Sequence, residues 1–156
     1  MRRVRKVFYN EENENSADES LRLTMLLRQL LSLYHYRTVK TELAWLKQQR
    51  EKVKMAQQLD ALNRHSQHIS QFNREYFSAM NDKNTQRALS LMDMRKWLEK
   101  EQGMVQQQQD TILRIKQQET DYLRQCDKVA AHFQLVVGKR KRQEKFRFIL
   151  EHLHAI

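Results

Sequence analysis

Between Leu91 and Val136 the chain holds a strict 3,4 spacing without a slip. The positions are Leu91, Met94, Leu98, Glu101, Val105, Gln108, Ile112, Ile115, Glu119, Tyr122, Cys126, Val129, Phe133 and Val136. Eleven of these fourteen are apolar, in a chain that is 40% hydrophobic. An apolar residue every 3.5 positions keeps one stripe of a helix turned toward a partner helix, so the segment is expected to be half of a coiled coil. The other half is sought in residues 1–80.

Proline is absent and glycine occurs only at 103 and 138, so the usual punctuation of a globular fold is missing. With 31% charged residues and 8% aromatics, the chain has too little apolar material for a thick core. A two-stranded hairpin needs only one buried stripe per helix. No run of about eighteen apolar residues exists, so no membrane span is expected. The start, Met1-Arg2-Arg3-Val4-Arg5-Lys6, lacks the apolar core of a secretory signal. The single cysteine, Cys126, excludes a disulfide framework, suits a reducing cytosol and reads as a small seam hydrophobe.

The expected fold is all-α: a long two-helix antiparallel coiled-coil hairpin with a disordered N-terminal tail. Residues 1–16 read as a flexible tail, with Arg2, Arg3, Arg5 and Lys6 followed by an acidic polar run. Ser16-Ala17-Asp18-Glu19 has the form of a capping box, which places the first helix at 17–80. In that helix Tyr36, Val39, Leu43, Leu46, Arg50 and Val53 keep heptad spacing. A second phase follows after an offset, through Met55, Leu59, Leu62, Ser66, Ile69, Asn73, Tyr76 and Met80. Met25–Leu33 is apolar over more than one face and is expected to bury a second surface. Asn81-Asp82-Lys83-Asn84-Thr85 reads as the turn (81–86), because Asn and Asp compete with helix through local hydrogen bonds. The second helix is then 87–153, capped by Asn84 or Ser90. A turn near residue 83 pairs Phe133 with Tyr34, Tyr122 with Trp45 or Leu46, and Arg50 with Glu119 as a register-fixing ion pair.

Chemistry concentrates at the two ends of such a hairpin. Lys139-Arg140-Lys141-Arg142-Gln143-Glu144-Lys145-Phe146-Arg147 returns beside the basic N-terminal residues, and Phe146, Phe148, Ile149, Leu150, Leu153 and Ile156 follow or overlap it. Cations beside an apolar cluster form a binding end rather than a merely solvated face. At the other end Phe72, Tyr76, Phe77, Met80, Leu89, Met92 and Trp97 surround the turn, and Phe77, Met92 and Trp97 fall off the seam. The pairs His65/His68 and His152/His154 lack the carboxylate or thiol company of a zinc site. No phosphate loop, nucleophile elbow or His-Glu-x-x-His is present, so neither an enzyme nor a cofactor is expected. Net charge +10 and pI near 9.9 raise nucleic acid as a partner. Against it, the cations away from the ends are mixed with acids and no stacking aromatics alternate with them.

In plan the chain resembles the YscO/FliJ-type stalk proteins of bacterial type III secretion systems. The resemblance covers residues 25–153. It is carried by a basic first helix, a mid-chain turn, the opening Asp93-Met94-Arg95-Lys96-Trp97, the Gln/Glu-rich heptad arm and the basic-aromatic stretch Lys139–Phe148. The segments Glu11–Glu19 and Met25–Leu33 have no counterpart in that pattern. The resemblance implies a cytoplasmic stalk, peripheral at the inner face of the bacterial inner membrane, whose open end enters a hexameric secretion ATPase. Lys139, Arg140, Lys141, Arg142, Phe146, Ile149 and Leu150 would contact the ATPase. Phe77, Met80, Met92 and Trp97 would face the cytoplasmic ring of the export gate, and secretion chaperones are further partners. The alternative is a generic coiled-coil scaffold or a basic nucleic-acid-associated protein.

Overall fold

The computed structural model describes the backbone of residues 2–85 and 88–154 and the side chains of 14–85 and 88–153. Two helices account for it, α1 (Arg2–Thr85) and α2 (Leu91–His154), packed as a two-helix antiparallel coiled-coil hairpin. The chain divides into unit 1, Met1–Lys47 with Ala130–Ile156, and unit 2, Gln48–Val129. Each unit holds one stretch of α1 against one stretch of α2. Among the described residues no helix is long and apolar enough to cross a membrane.

The break lies later than the sequence suggested. Asn81–Thr85 stays helical, because Thr85 Oγ1 donates to the carbonyls of Asn81 (2.9 Å) and Asp82 (3.1 Å) and so occupies last-turn acceptors. Lys83 adds a cation where the helix dipole favours one. The described residues 88–90 are not helical, and Ser90 caps α2. The Asp93 amide donates to Ser90 Oγ (3.1 Å) and the Met94 amide to Ser90 O (3.0 Å). Asn84, the other cap candidate, lies inside α1. At the N-terminal end α1 passes through Ser16, so the capping box there starts no helix. A capping sequence favours an end but does not block a ladder that continues past it, and neither Pro nor Gly stands before it. The side chains of 1–13, and with them most of the expected tail, lie outside the described residues.

The later break moves the register by about three turns. In unit 1 Phe133 faces Trp45 (ring centroids 5.6 Å apart) instead of Tyr34, and Tyr34 stacks on Phe146 at 4.7 Å. In unit 2 Gln108 Nε2 donates to Ser70 Oγ (2.9 Å), and Gln125 Nε2 donates to Gln48 O and Oε1 (both 2.9 Å). The expected Arg50–Glu119 lock does not form, and both side chains are exposed.

The least exposed residues of each helix follow one unbroken 3,4 count. On α1 it runs Tyr34, Thr38, Thr41 and Trp45 in unit 1, then Gln48, Lys52, Met55, Leu59, Leu62, Ser66, Ile69, Asn73 and Tyr76 in unit 2. The second phase read from the sequence therefore simply extends backward, and no offset exists. The first phase, Tyr36, Val39, Leu43, Leu46 and Val53, is exposed. So are Met25, Leu26, Leu30 and Leu33 in the segment expected to bury a second surface. On α2 one expected column survives, Glu101, Gln108, Ile115, Tyr122, Val129 and Val136. The other rotates by one residue, from Leu98, Val105, Ile112, Glu119, Cys126 and Phe133 to Trp97, Met104, Thr111, Gln118, Gln125 and His132. The far end of α2 explains the change. Continued by sevens, the expected column would bring Arg140 and Arg147 to the partner helix. The observed one brings Lys139, Phe146 and Leu153, and Phe and Leu gain more from leaving water than Arg does.

The resulting seam is half polar. Val136, Val129 and Met104 are its buried apolar residues, beside buried Thr38, Asn73, Thr111 and Gln125. Their hydrogen bonds explain how it is tolerated. Thr38 and Thr111 hydroxyls donate to the carbonyls of Tyr34 and Gln107 one turn back (both 2.8 Å), and the glutamines bond across the helices. The indole N–H groups of Trp45 and Trp97 are buried with no acceptor, a cost of about 1–3 kcal/mol each. The register is checked by cross-linking cysteines at His35 and Gln143, whose side chains meet at 3.0 Å, in a Cys126→Ser background. A short bismaleimide is expected to link them within one chain, while cysteines at Tyr34 and Phe133 stay unlinked.

Candidate functional site

The basic stretch of α2 belongs to unit 1, where it packs against residues 34–42 of α1. Helical spacing splits it into an inner and an outer set. Lys139, Gln143, Phe146, Leu150 and Leu153 continue the 3,4 count and are partly buried at the seam. Phe146 stacks on Tyr34 with an interplanar angle of 27°, and Arg37 lies over the same Tyr34 ring at 5.9 Å. Arg140 is held sideways: its Nε donates to Glu42 Oε1 at 2.8 Å. With side chains 54% and 32% exposed, this ion pair orients Arg140 more than it stabilises the fold.

Lys141, Arg142, Lys145 and Arg147 are exposed and form no ion pair among the described residues. Phe148 (58% exposed) and Ile149 stand outward with them. Lys141 and Lys145 lie one turn apart, and Phe148 follows on the same face, so cations and an aromatic ring form one outward strip. Of the residues expected at an ATPase, Lys141, Arg142 and Ile149 are outward. Arg140 is exposed but tied to Glu42, while Lys139, Phe146 and Leu150 serve the hairpin itself. Lys145 and Phe148 complete the strip although the sequence-derived set omits them. Their signal was present as i, i+4 and i, i+7 spacing from Lys141, but it separates from the seam only once the phase of the helix is fixed. The N-terminal cations Arg2, Arg3, Arg5 and Lys6 have side chains outside the described residues.

The second expected surface is in unit 2. Phe77, Met80 and Trp97 are half-buried, and Met92 is 72% exposed. Tyr76 joins Phe72 and Phe77 at centroid distances of 6.4 and 6.0 Å, and Lys100 Nζ sits 4.5 Å over the Tyr76 ring. Tyr76, Met80, Leu89 and Trp97 line a shallow groove with Asp93, Lys96 and Lys100 at its edge. Phe72, Leu91 and Met92 thus stand outward here, and Phe77 and Met80 mainly close the hairpin. Among the described residues no group of three or more His, Cys, Asp or Glu side chains is placed to hold a metal ion.

No known protein family, characterised protein or solved structure matches this chain. The roles of the two surfaces therefore rest on their own chemistry. The division into inner and outer sets predicts opposite mutant behaviour. Phe146→Ala is expected to lower unfolding free energy by about 2 kcal/mol, roughly half the loss for a fully buried ring. Lys141→Ala and Lys145→Ala should stay within about 0.5 kcal/mol of the parent. Urea titration followed by circular dichroism measures both.

Proposed function

We propose that this protein is the stalk of a type III secretion ATPase, linking the ATPase hexamer to the export gate. The observation that carries the reading is the outward strip of unit 1, where Lys141, Arg142 and Lys145 stand beside exposed Phe148 and Ile149 on an antiparallel helix pair. A helix pair that has already committed Phe146, Leu150 and Lys139 to its own seam presents the remaining side chains in fixed positions. The ring around such a stalk would contribute carboxylates for the cations and an apolar rim for Phe148, an arrangement that steers encounter by charge and holds by burial.

In this reading the stalk performs no hydrolysis. Helix pairs transmit force because their backbone hydrogen bonds lie along the axis and their seam resists sliding. The half-polar seam suits such a role. Each cross-helix glutamine bond is lost if the helices slide, so register is held even where apolar burial is thin. Toward the gate, Met92 supplies the exposed contact and Phe77, Met80 and Trp97 the support behind it. Secretion chaperones would compete for the same apolar residues.

The test uses the full chain and a hexamer-forming secretion ATPase. The parent is expected to bind and to raise ATP turnover. Lys141→Glu, Arg142→Glu and Lys145→Glu together should weaken binding by roughly a hundredfold or more with helicity unchanged, since each desolvated charge contact is worth about 1–3 kcal/mol. Absence of binding by the parent, or a salt-steep affinity for duplex nucleic acid that the same triple change removes, would replace the stalk by the scaffold or nucleic-acid reading.

A further inference from the structure

In unit 2, α2 carries a second heptad stripe that the described chain leaves largely exposed. It consists of the positions one residue after each seam position, hence about 100° around the helix. Leu98, Val105, Ile112 and Leu123 on it are 51%, 43%, 42% and 64% exposed, and the half-buried Cys126 continues it. An open depression around Gly103, lined by Leu98 and Val105, lies on the same face. A side-chain repeat of 3.5 can be followed only by another helix that supercoils with it. A right-angle step between two apolar faces is also the pattern of a helix that touches two neighbours in a four-helix bundle.

We propose that this stripe is where two copies of the chain pair, α2 against α2, antiparallel about a two-fold axis between Lys116 and Glu119. These two are the stripe's only charged residues from Leu98 to Cys126, one of each sign, three positions apart, and both exposed. Antiparallel pairing with the axis between them sets Lys116 opposite the second copy's Glu119 and Glu119 opposite its Lys116. The same register sets Ile112 against Leu123 and Gln109 against Cys126. A parallel, in-register pair would instead oppose Lys116 to Lys116 and Glu119 to Glu119. A two-fold interface must be self-complementary, and from Gln109 to Cys126 the stripe meets that condition, through Lys116 and Glu119 in charge and through Ile112 against Leu123 in apolar content. The proposal stands apart from the stalk reading, since it uses no residue of the cationic strip.

Sedimentation equilibrium of the full chain across the micromolar range tests it. The parent is expected to reach a dimer. Lys116→Glu alone should weaken it at least roughly tenfold through two like-charge pairs, and adding Glu119→Lys should restore it. Gln109→Cys gives a second reading. Oxidation should join the thiol introduced at position 109 to Cys126 of the other copy, because seventeen positions of helix, roughly 25 Å, separate the two within one chain. A parent that stays monomeric, a dimer indifferent to Lys116→Glu, or failure of the Gln109→Cys chain to cross-link would each overturn the proposal.

Discussion

Everything in this molecule depends on which two columns of each helix face the partner. On an α-helix supercoiled to 3.5 residues per turn there are seven columns, and only two can be central to one interface. The break between Thr85 and Leu91 sets the axial register, and the side chains at the far end of α2 set the rotation. Once Trp45 meets Phe133 and Tyr34 meets Phe146, the remaining pairs of unit 1 follow. In unit 2 the glutamine contacts of Gln108 and Gln125 play the corresponding part.

That choice leaves a seam poorer in apolar residues than the chain could have made. Leu, Val and Ile columns stand outside while Thr, Gln and Asn lie within. Buried amides and hydroxyls contribute little net stability, since each exchanges water for a protein partner. They do penalise every register that leaves them unpaired, so they favour one alignment over its neighbours. The apolar columns left outside are surface that water solvates poorly, and their helical repeat restricts what can cover them to further helices.

The cationic end shows the same division of labour within a few residues. Phe146 and Leu150 hold α2 to α1, Glu42 fixes Arg140, and the residues between them are free to meet something else. Because the outward cations alternate with seam residues one or two positions away, the strip is as well placed as the seam that supports it. For the proposed stalk this matters: a contact that must carry force needs its side chains anchored on a helix that does not itself slip.

That the chain forms two helices, joined once and packed through heptads, follows from its residues alone. No proline interrupts either helix, strong helix formers fill both, and 3.5-residue repeats run through each. Ser90 was legible as one of two caps, and the second α1 phase, Met55 to Met80, is the seam found. Which of several apolar columns would be buried was not legible. Leu98, Val105 and Ile112 look like better seam residues than Thr111 or Gln125 when α2 is read alone. The packed helices settle the matter, because the columns are shared along the whole of α2 and a phase that suits Leu98 would bury Arg140 and Arg147. The turn was misplaced for a related reason: Asn81–Thr85 carries turn-forming side chains, but Thr85 bonded back onto its own helix. Inner and outer members of the basic stretch separated on the same ground, since periodicity fixes which residues share a face and only the partner helix fixes which face turns inward.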